Sequence, residues 1–295
     1  MRYRPFGATG KAVSAVSLLL REAPNMATPQ AWRALAFSAM ESGVNAFELS
    51  AGSDIMSMGV GEALRAVERR LIFLAWRIRG DGHKPVTADA ISASVRNGLQ
   101  KTGAGYFDLL VMDEHAFAHL EPSARTYLDD LRAGGLALQL GVSGDGPAID
   151  TCISSAGFDV LITPFNLTSD WQARRRIREA SAKDMVIVAS DPFPSVLRNR
   201  GPTPAKTSLL GRRIEPLAGA GTYAFLHETP GWTPEEVCIA YALTEPAFAS
   251  IQLEAFRAET IDRLAAVPDR DLPTGVAAQI EMARFGSEQE GRRRA

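Results

Sequence analysis

The fold is decided by the stretch Gly43-Val-Asn-Ala-Phe-Glu-Leu-Ser-Ala-Gly-Ser-Asp54. Val44–Leu49 is a short, mostly apolar run between a glycine and a Ser/Gly/Asp cluster, a pattern typical of a buried parallel strand followed by a loop. Glu48 comes at the C-terminal end of this strand, where parallel α/β folds collect their functional residues. Glu48 is therefore a candidate site residue, and a carboxylate that faces solvent or a neighbouring arginine is an equally good interpretation.

Strand patterns and helix patterns alternate along the rest of the chain. The predicted strands are Val16–Leu20, Val44–Leu49, Leu71–Arg77, Tyr106–Met112, Leu136–Val142, Asp159–Pro164, Met185–Ala189 and Ala249–Leu253. The predicted helices are Thr28–Ser42, Met56–Arg69, Thr87–Lys101, Ser123–Ala133, Pro147–Ser155, Trp171–Ala182, Thr233–Leu243 and Ala258–Val267. Eight strands that alternate with eight helices predict a single (β/α)8 TIM barrel of the α/β class.

Three further segments complete the predicted organisation. Arg2–Phe6 and Ala12–Ala15 flank Gly7-Ala-Thr-Gly10, which is typical of an N-terminal β-hairpin. Ser190–Gly231 is rich in proline and glycine, which predicts a long loop after the seventh strand, over the C-terminal mouth. The barrel is expected to span residues 1–285, and residues 286–295 to form a flexible basic tail.

Composition excludes several classes of function. Of the 295 residues, 46% are hydrophobic and 22% charged, which suits a globular domain, and the net charge of −2 gives no attraction to nucleic acid or anionic membranes. No apolar run approaches the about 18 residues of a membrane span, and Met1-Arg-Tyr-Arg-Pro5 lacks the apolar core of a signal peptide. Cys152 and Cys238 are isolated, which predicts buried, reduced thiols and no metal or redox motif. We therefore expect a cytoplasmic protein.

Several stretches, taken together in their order and spacing, resemble the aldo-keto reductase superfamily over nearly the whole chain. They are Tyr3-Arg-Pro-Phe-Gly-Ala-Thr-Gly-Lys-Ala-Val-Ser14, Glu41-Ser-Gly-Val-Asn-Ala-Phe-Glu48, Gly105-Tyr-Phe-Asp-Leu-Leu110, Leu131-Arg-Ala-Gly-Gly-Leu136, Gly141-Val-Ser143, Phe158-Asp-Val160 and Pro164-Phe-Asn166. The resemblance implies carbonyl reduction, in which a tyrosine delivers a proton, an Asp–Lys pair lowers its pKa, and a nicotinamide delivers hydride.

All four positions that the resemblance assigns to the catalytic Asp, Tyr, Lys and His are altered here. Glu48 occupies the Asp position, Arg77 the Lys position and Asp113 the His position. The Tyr position falls within Gly52-Ser-Asp-Ile55, which contains no tyrosine, so none of the catalytic residues is intact. An arginine, with a pKa above about 12, cannot tune a proton donor as a lysine does. We expect Glu48, Arg77 and Asp113 to form a buried ion network instead.

Two arrangements would restore chemistry at the mouth. His115 or His119, displaced from the His position, could act as an acid, or Asp113 could pair with Arg77. A loop histidine beside acidic groups is more often structural.

The resemblance also implies a dinucleotide site, and part of it is retained. Ser143 matches the serine of a Ser-Asn pair that holds the nicotinamide carboxamide, although Gly144 follows it, and Asn166 is retained in the scaffold that positions the dinucleotide. Ile162 replaces a glutamine and Ser190, in Ala189-Ser-Asp-Pro192, replaces the stacking aromatic. These losses predict weakened binding.

Selectivity between the two dinucleotides is expected to depend on the end of the eighth strand. Glu254 and Arg257 fall near the adenosine phosphate position. A carboxylate would repel a 2′-phosphate but accept from a 2′-hydroxyl, so NAD(H) is expected rather than NADP(H). An exposed Glu254–Arg257 pair at a helix start is an equally good interpretation.

Three classes of function follow from these residues. The first is a pseudoenzyme that binds NAD(H) and regulates a protein partner, and the chain resembles the KidO-type reductase-fold regulators of bacterial cell division. The second is an active NAD(P)-dependent oxidoreductase with a rearranged acid. The third is a different barrel enzyme that uses Glu48, Arg77 and Asp113.

Overall fold

The computed structural model of the chain describes residues 1–155, 157–194, 197 and 223–283. Eight parallel strands form a closed barrel in the order β10-β3-β4-β5-β6-β7-β8-β9, which confirms the predicted TIM barrel. The barrel strands are β3 Val16–Leu20, β4 Ala46–Ser50, β5 Phe73–Ile78, β6 Phe107–Asp113, β7 Ala137–Ser143, β8 Val160–Pro164, β9 Val186–Ser190 and β10 Phe248–Leu253. All eight predicted strands are present, most of them displaced by one or two residues.

Helices cover the outside of the barrel. Those that the structure describes are α1 Pro29–Glu41, α2 Asp54–Leu64, α3 Ala88–Thr102, α4 Glu114–Ala118, α5 Pro122–Ala133, α6 Pro147–Ser155, α7 Trp171–Ser181, α8 Pro234–Leu243 and α9 Ala258–Ala265. The side chains of Thr28, Thr87 and Thr233 cap α1, α3 and α8 by accepting from backbone amides, as their sequence positions predict. Trp32, Leu35, Ala36 and Ala39 form the buried face of α1.

Two helix predictions were wrong in detail. Helix α2 ends at Leu64 rather than Arg69, because Arg69–Leu71 forms a separate 3-10 turn whose Arg69 guanidinium bonds to the carbonyls of Ala104 and Tyr106. Helix α4 was not predicted, because five residues are too few to show a helical period. Asp113 is the N-cap residue of α4, and its carboxylate accepts from the Ala116 amide.

The predicted N-terminal hairpin is confirmed. Strands β1 Tyr3–Pro5 and β2 Ala12–Ser14 pair antiparallel. The hairpin places Phe6 inside the barrel, where its ring centroid lies 4.3 Å from that of Phe73 at the start of β5. Phe6 and Val13 are both 1% exposed, so they seal the N-terminal end of the barrel and leave only the opposite end open.

Most of the predicted 190–231 loop, and the 286–295 tail, lie outside the described residues. Within the described part, Ala224–His227 forms a 3-10 turn, and Leu226 packs in a small core with Leu167 and Cys238. A further helical stretch covers residues 276–283.

Cys152 and Cys238 are free and buried, as expected. Burial raises the pKa of the Cys152 thiol to about 12 and raises that of Cys238 further above its usual range, so neither is a thiolate near neutral pH. None of the helices described has both the length and the apolar composition that crossing a membrane requires.

The sealed end of the barrel is built around the Asp108 carboxylate, which is 3% exposed. One of its oxygens lies 2.6 Å from the Lys11 ammonium, and the other accepts from the Arg69 guanidinium at 2.8 Å and the Leu74 amide at 2.8 Å. Burial lowers the pKa of Lys11, although the Asp108 carboxylate opposes this shift. The hairpin, the 3-10 turn and strands β5 and β6 therefore meet at one carboxylate.

Replacement of Asp108 by alanine should destabilise the protein by about 3 kcal/mol or more, because it leaves two partly buried cations without a partner. Urea unfolding followed by circular dichroism measures this change. Asp129→Ala is the matched control, since Asp129 pairs with Arg132 at the surface, where an ion pair contributes at most about 1 kcal/mol. Equal stability of the Asp108 and Asp129 variants would contradict the structural role of Asp108.

Candidate functional site

Glu48, Arg77 and Gln252 form a closed polar network inside the mouth of the barrel. Glu48 is 3% exposed, and one of its oxygens forms an ion pair with the Arg77 guanidinium. The predicted contact between these two residues is therefore present. The other oxygen accepts from the Gln252 amide at 2.8 Å, and the Gln252 carbonyl oxygen lies 3.5 Å from Arg77. Each carboxylate oxygen therefore has a partner within the protein, as a buried charge requires.

Asp113 is not part of this network, so the predicted three-residue ion cluster is wrong. One oxygen of Asp113 accepts from the backbone amides of Gly80 at 3.0 Å and Ala116 at 2.8 Å. Within the part of the chain that the structure describes, no ion pair joins Asp113 to Arg77. At the start of α4 the Asp113 carboxylate accepts from backbone amides that point toward it. Beside Arg77 it would instead have to share one guanidinium with Glu48.

The two histidines considered as replacement acids lie at the rim rather than in the interior. His115 is exposed on α4, and His119 follows that helix. One His119 ring nitrogen lies 2.9 Å from the His115 carbonyl oxygen and the other 3.4 Å from His83. Both contacts are to rim groups, and neither involves Glu48 or Arg77.

Two candidate dinucleotide residues end neighbouring elements of the barrel. Ser143 ends β7, is 9% exposed and pairs in register with Asp113 and Ile162. Asn166 follows β8, but its side-chain oxygen accepts from the Thr168 amide and hydroxyl, and its amide donates to the Asp191 carbonyl at 3.1 Å. Asn166 therefore shapes its own loop and keeps one amide hydrogen for a ligand.

Ser190 and Pro192, two residues at or just after the end of β9 that were expected to contact a dinucleotide, are partly or fully buried. Ser190 is partly buried, and its carbonyl accepts from the Phe165 amide at 2.9 Å. Asp191 adopts a left-handed conformation with φ of 45°, and Pro192 is buried. The left-handed Asp191 therefore bends the chain directly after β9.

Glu254 pairs with Arg21 at 2.5 Å, and not with Arg257 as one interpretation had it. Arg257 is exposed and immediately precedes α9. Because β10 is hydrogen-bonded to β3, the residues after these two strands lie side by side, which brings Arg21 to Glu254. The pair spans the seam at which the barrel closes.

A cleft of about 650 Å³ opens at the same rim, between the segments that follow β3, β4, β5 and β10. Its lining includes Arg21, Glu22, Asn25, Arg79 and Phe256. This volume is in the range of small-molecule sites. The Arg79 guanidinium could bind an anionic group there, whereas Arg21 is paired with Glu254 and the Glu22 carboxylate also lines the cleft. The barrel interior below the cleft holds a cavity of only about 20 Å³, room for about one water molecule, beside Glu48 and Gln252.

The sequence profile of the Aldo/keto reductase family matches residues 33–284. The chain belongs to this family. Its fold is similar to that of an aldo-keto reductase from Bacillus halodurans in its holo form, with a TM-score of 0.73, 17% identity, and coverage of 97% of this chain and 96% of that one. It is also similar to an aldo-keto reductase from Klebsiella pneumoniae in complex with NADPH, with a TM-score of 0.72, 16% identity and 95% coverage of each chain. At these identities the likeness extends to the fold alone, and no curated protein matches the sequence significantly.

In this member of the family, the segment Gly52–Ile55, to which the sequence resemblance assigns the tyrosine position, lies at a helix start. The hydroxyl of Ser53 accepts from the Met56 amide at 3.3 Å and caps α2, and the Ile55 side chain is 43% exposed. The tyrosine hydroxyls with described contacts bond elsewhere: Tyr3 to Gly43, Tyr223 to Leu167 and Tyr241 to Arg174. No phenol among the described residues contacts Glu48 or Arg77.

Sequence reasoning missed Gln252, Arg21 and Arg79. Gln252 lies 204 positions from Glu48, and only closure of the barrel brings the two together. The signal that could have identified it is the polar residue within the otherwise apolar run of β10, since an amide inside a buried strand needs a partner. Arg21 and Arg79 directly follow strand patterns, the position at which mouth residues are expected.

Replacement of Glu48 by glutamine should destabilise this protein by about 3 kcal/mol, because Arg77 would remain as an unpaired, largely buried charge. The double variant Glu48→Gln/Arg77→Met should be more stable than Glu48→Gln alone, since it removes that charge together with its partner. Urea unfolding of the wild type, both single variants and the double variant gives the coupling energy. Additive effects of the two replacements would show that the pair does not stabilise the mouth.

Proposed function

We propose that this member of the family is a pseudoenzyme that binds NAD(H) weakly and acts as a regulator by binding a protein partner. The observation that carries the proposal is the Glu48–Arg77–Gln252 network, in which both carboxylate oxygens are already bonded within the protein. A family reductase needs a phenol beside a cation that tunes its pKa, and here the cation is a guanidinium bonded to Glu48. The resemblance to the KidO-type regulators supports control of bacterial cell division as the setting.

A dinucleotide fits the mouth only in part. The cleft has the volume of a small-molecule site, and Arg79 and the Glu254-paired Arg21 line it, where both could contact phosphates. Ser143 and the remaining amide hydrogen of Asn166, which lie outside the cleft lining, could hold a carboxamide. Ile162 is buried and offers no hydrogen bond, and Ser190 offers no ring to stack on. When bound, the cofactor would supply a hydride, but among the residues that the structure describes no tyrosine or histidine contacts Glu48 to supply the matching proton.

The alternative functions have less support from the geometry. An oxidoreductase that uses His115 or His119 would need one of these rings near the nicotinamide, and both make their contacts at the rim. A different barrel enzyme built on Glu48, Arg77 and Asp113 would need these groups to converge, and Asp113 instead bonds to the amides of Gly80 and Ala116. The pseudoenzyme is therefore the function that we favour.

The purified protein should transfer no hydride from NADH or NADPH to common aldehydes and ketones. The decrease of nicotinamide absorbance measures this, with a family reductase that retains its tyrosine as the positive control. The carbonyl lacks a proton donor, so the rate should not exceed that of a blank. A robust rate that Glu48→Gln or Asp113→Asn abolishes would contradict the pseudoenzyme proposal.

NADH should bind more tightly than NADPH, because a 2′-phosphate would lie against the Glu254 carboxylate, whose pairing with Arg21 weakens this repulsion without removing the carboxylate. With the stacking ring and the glutamine absent, affinity should be about one to two orders of magnitude below that of an ordinary reductase, since each loss costs on the order of 1 kcal/mol. Calorimetric titration measures both affinities, and Glu254→Lys should shift the preference toward NADPH. Glu259→Lys is the matched control, because it makes the same charge change at an exposed position in the first turn of α9.

Two outcomes of this titration would contradict parts of the proposal. Tighter binding of NADPH by the wild type would mean that Glu254 does not face the adenosine. Absence of binding by either dinucleotide would leave a protein-binding scaffold without a cofactor. Partner binding is tested separately, by comparing capture of a candidate partner with and without NADH.

A further inference from the structure

Two histidine rings face each other at the rim of the barrel, outside the site described above. Nδ1 of His83, in the loop after β5, lies 3.4 Å from Nε2 of His119, which follows α4. The ring centroids are 5.4 Å apart and the ring planes are inclined by 57°. A separation of 3.4 Å exceeds the usual hydrogen-bond range of about 2.7–3.2 Å, so a hydrogen bond is a poor account of this contact.

A backbone contact determines which nitrogen of His119 carries the lone pair. Nδ1 of His119 lies 2.9 Å from the carbonyl oxygen of His115. A carbonyl oxygen can only accept, so Nδ1 carries the hydrogen and Nε2, the nitrogen nearest His83, keeps its lone pair. Metal-ligating histidines are commonly oriented in this way, by donating their other ring N–H to a carbonyl.

The loop that carries His83 is attached to α4 and its flanks at both ends. At one end, the Gly80 amide donates to Asp113 at 3.0 Å, and a Cβ on Gly80 would lie 2.6 Å from the Ala116 nitrogen, so only glycine permits this approach. At the other end, the Val86 amide donates to the His119 carbonyl at 2.8 Å, and the Glu121 amide donates to Val86. Backbone contacts thus hold together the two segments that carry the rings.

The 3.4 Å separation of the two ring nitrogens matches one coordination geometry. With Zn–N bonds of 2.0–2.1 Å and a tetrahedral angle, two ligating nitrogens lie about 3.3–3.4 Å apart. The right angle of square-planar or octahedral metals would place them about 2.9 Å apart. We propose that His83 and His119 bind a Zn²⁺ ion that fastens the loop after β5 to the segment after α4.

Water completes the coordination in this proposal. Among the described residues, no group of three or more His, Cys, Asp and Glu side chains is arranged to hold a metal, so the protein supplies two ligands. His83 is exposed and His119 partly buried, which leaves room for solvent on the ion. The nearby charges of Asp81 and Lys84 form an ion pair with each other and do not oppose a cation. Affinity should therefore be lower than at a structural zinc with four protein ligands.

The test is a calorimetric titration of the untagged chain with Zn²⁺. The wild type should bind one ion per chain, and His83→Ala and His119→Ala should each lose that binding. Co²⁺ in place of Zn²⁺ should give the visible absorption of a four-coordinate ion in the wild type only. His83→Ala changes an exposed loop side chain, so its fold, checked by circular dichroism, should be intact even if His119→Ala does not fold.

Two neighbouring variants are the controls. His115→Ala removes a ring two residues after the end of β6 but keeps the carbonyl that orients His119, and His227→Ala removes the ring in the turn Ala224–His227. Both should bind Zn²⁺ as the wild type does. Unchanged binding in His83→Ala, or loss of binding in His115→Ala equal to that in His119→Ala, would overturn the two-histidine site.

Discussion

Pairing of β10 with β3 closes the barrel, and the polar network at its mouth depends on this closure. Gln252 lies opposite Ser17 in the register of these two strands, and from there its amide reaches Glu48 on β4 at 2.8 Å. A carboxylate that is 3% exposed is tolerated only with a charge partner and hydrogen bonds on both oxygens. Opening the seam would remove the Gln252 bond and, at the rim, the Arg21–Glu254 pair that spans the same two strand ends.

The barrel holds a buried carboxylate at each end, and the difference between them separates stability from function. Asp108 at the sealed end takes its cations from outside the barrel, Lys11 from the hairpin and Arg69 from a 3-10 turn, so it joins peripheral elements to the strands. Glu48 at the open end takes its cation from the adjacent barrel strand. In TIM barrels the N-terminal end generally serves stability and the C-terminal end function. Here both oxygens of Glu48, at the C-terminal end, are bonded to Arg77 and Gln252 within the protein. We therefore favour ligand binding over catalytic turnover.

Local and neighbouring-strand relations could be predicted from the sequence, and long-range ones could not. The strands, the capped helices and the Glu48–Arg77 pair follow from short apolar runs, capping threonines and adjacent strand ends. Proximity in sequence suggested Arg257 as the partner of Glu254, but barrel closure placed Arg21 there. Asp113 was assigned to the ion network because the resemblance puts it in the family's His position. The backbone amides of Gly80 and Ala116, which no side-chain pattern reveals, instead donate to this carboxylate.

Asp113 is the residue through which the proposed binding role would reach the rim of the barrel. The residue in the position of the family's histidine now links the end of β6 to two rim segments, the loop after β5 and helix α4. A ligand that enters the cleft beside Arg79 contacts the chain directly before Gly80, so its occupancy acts on the same loop that Asp113 holds. A regulator must pass ligand occupancy to a surface that a partner can contact, whereas an enzyme needs rigid groups around the reacting atom. In the proposed function, a carboxylate that anchors a rim loop serves the first of these requirements rather than the second.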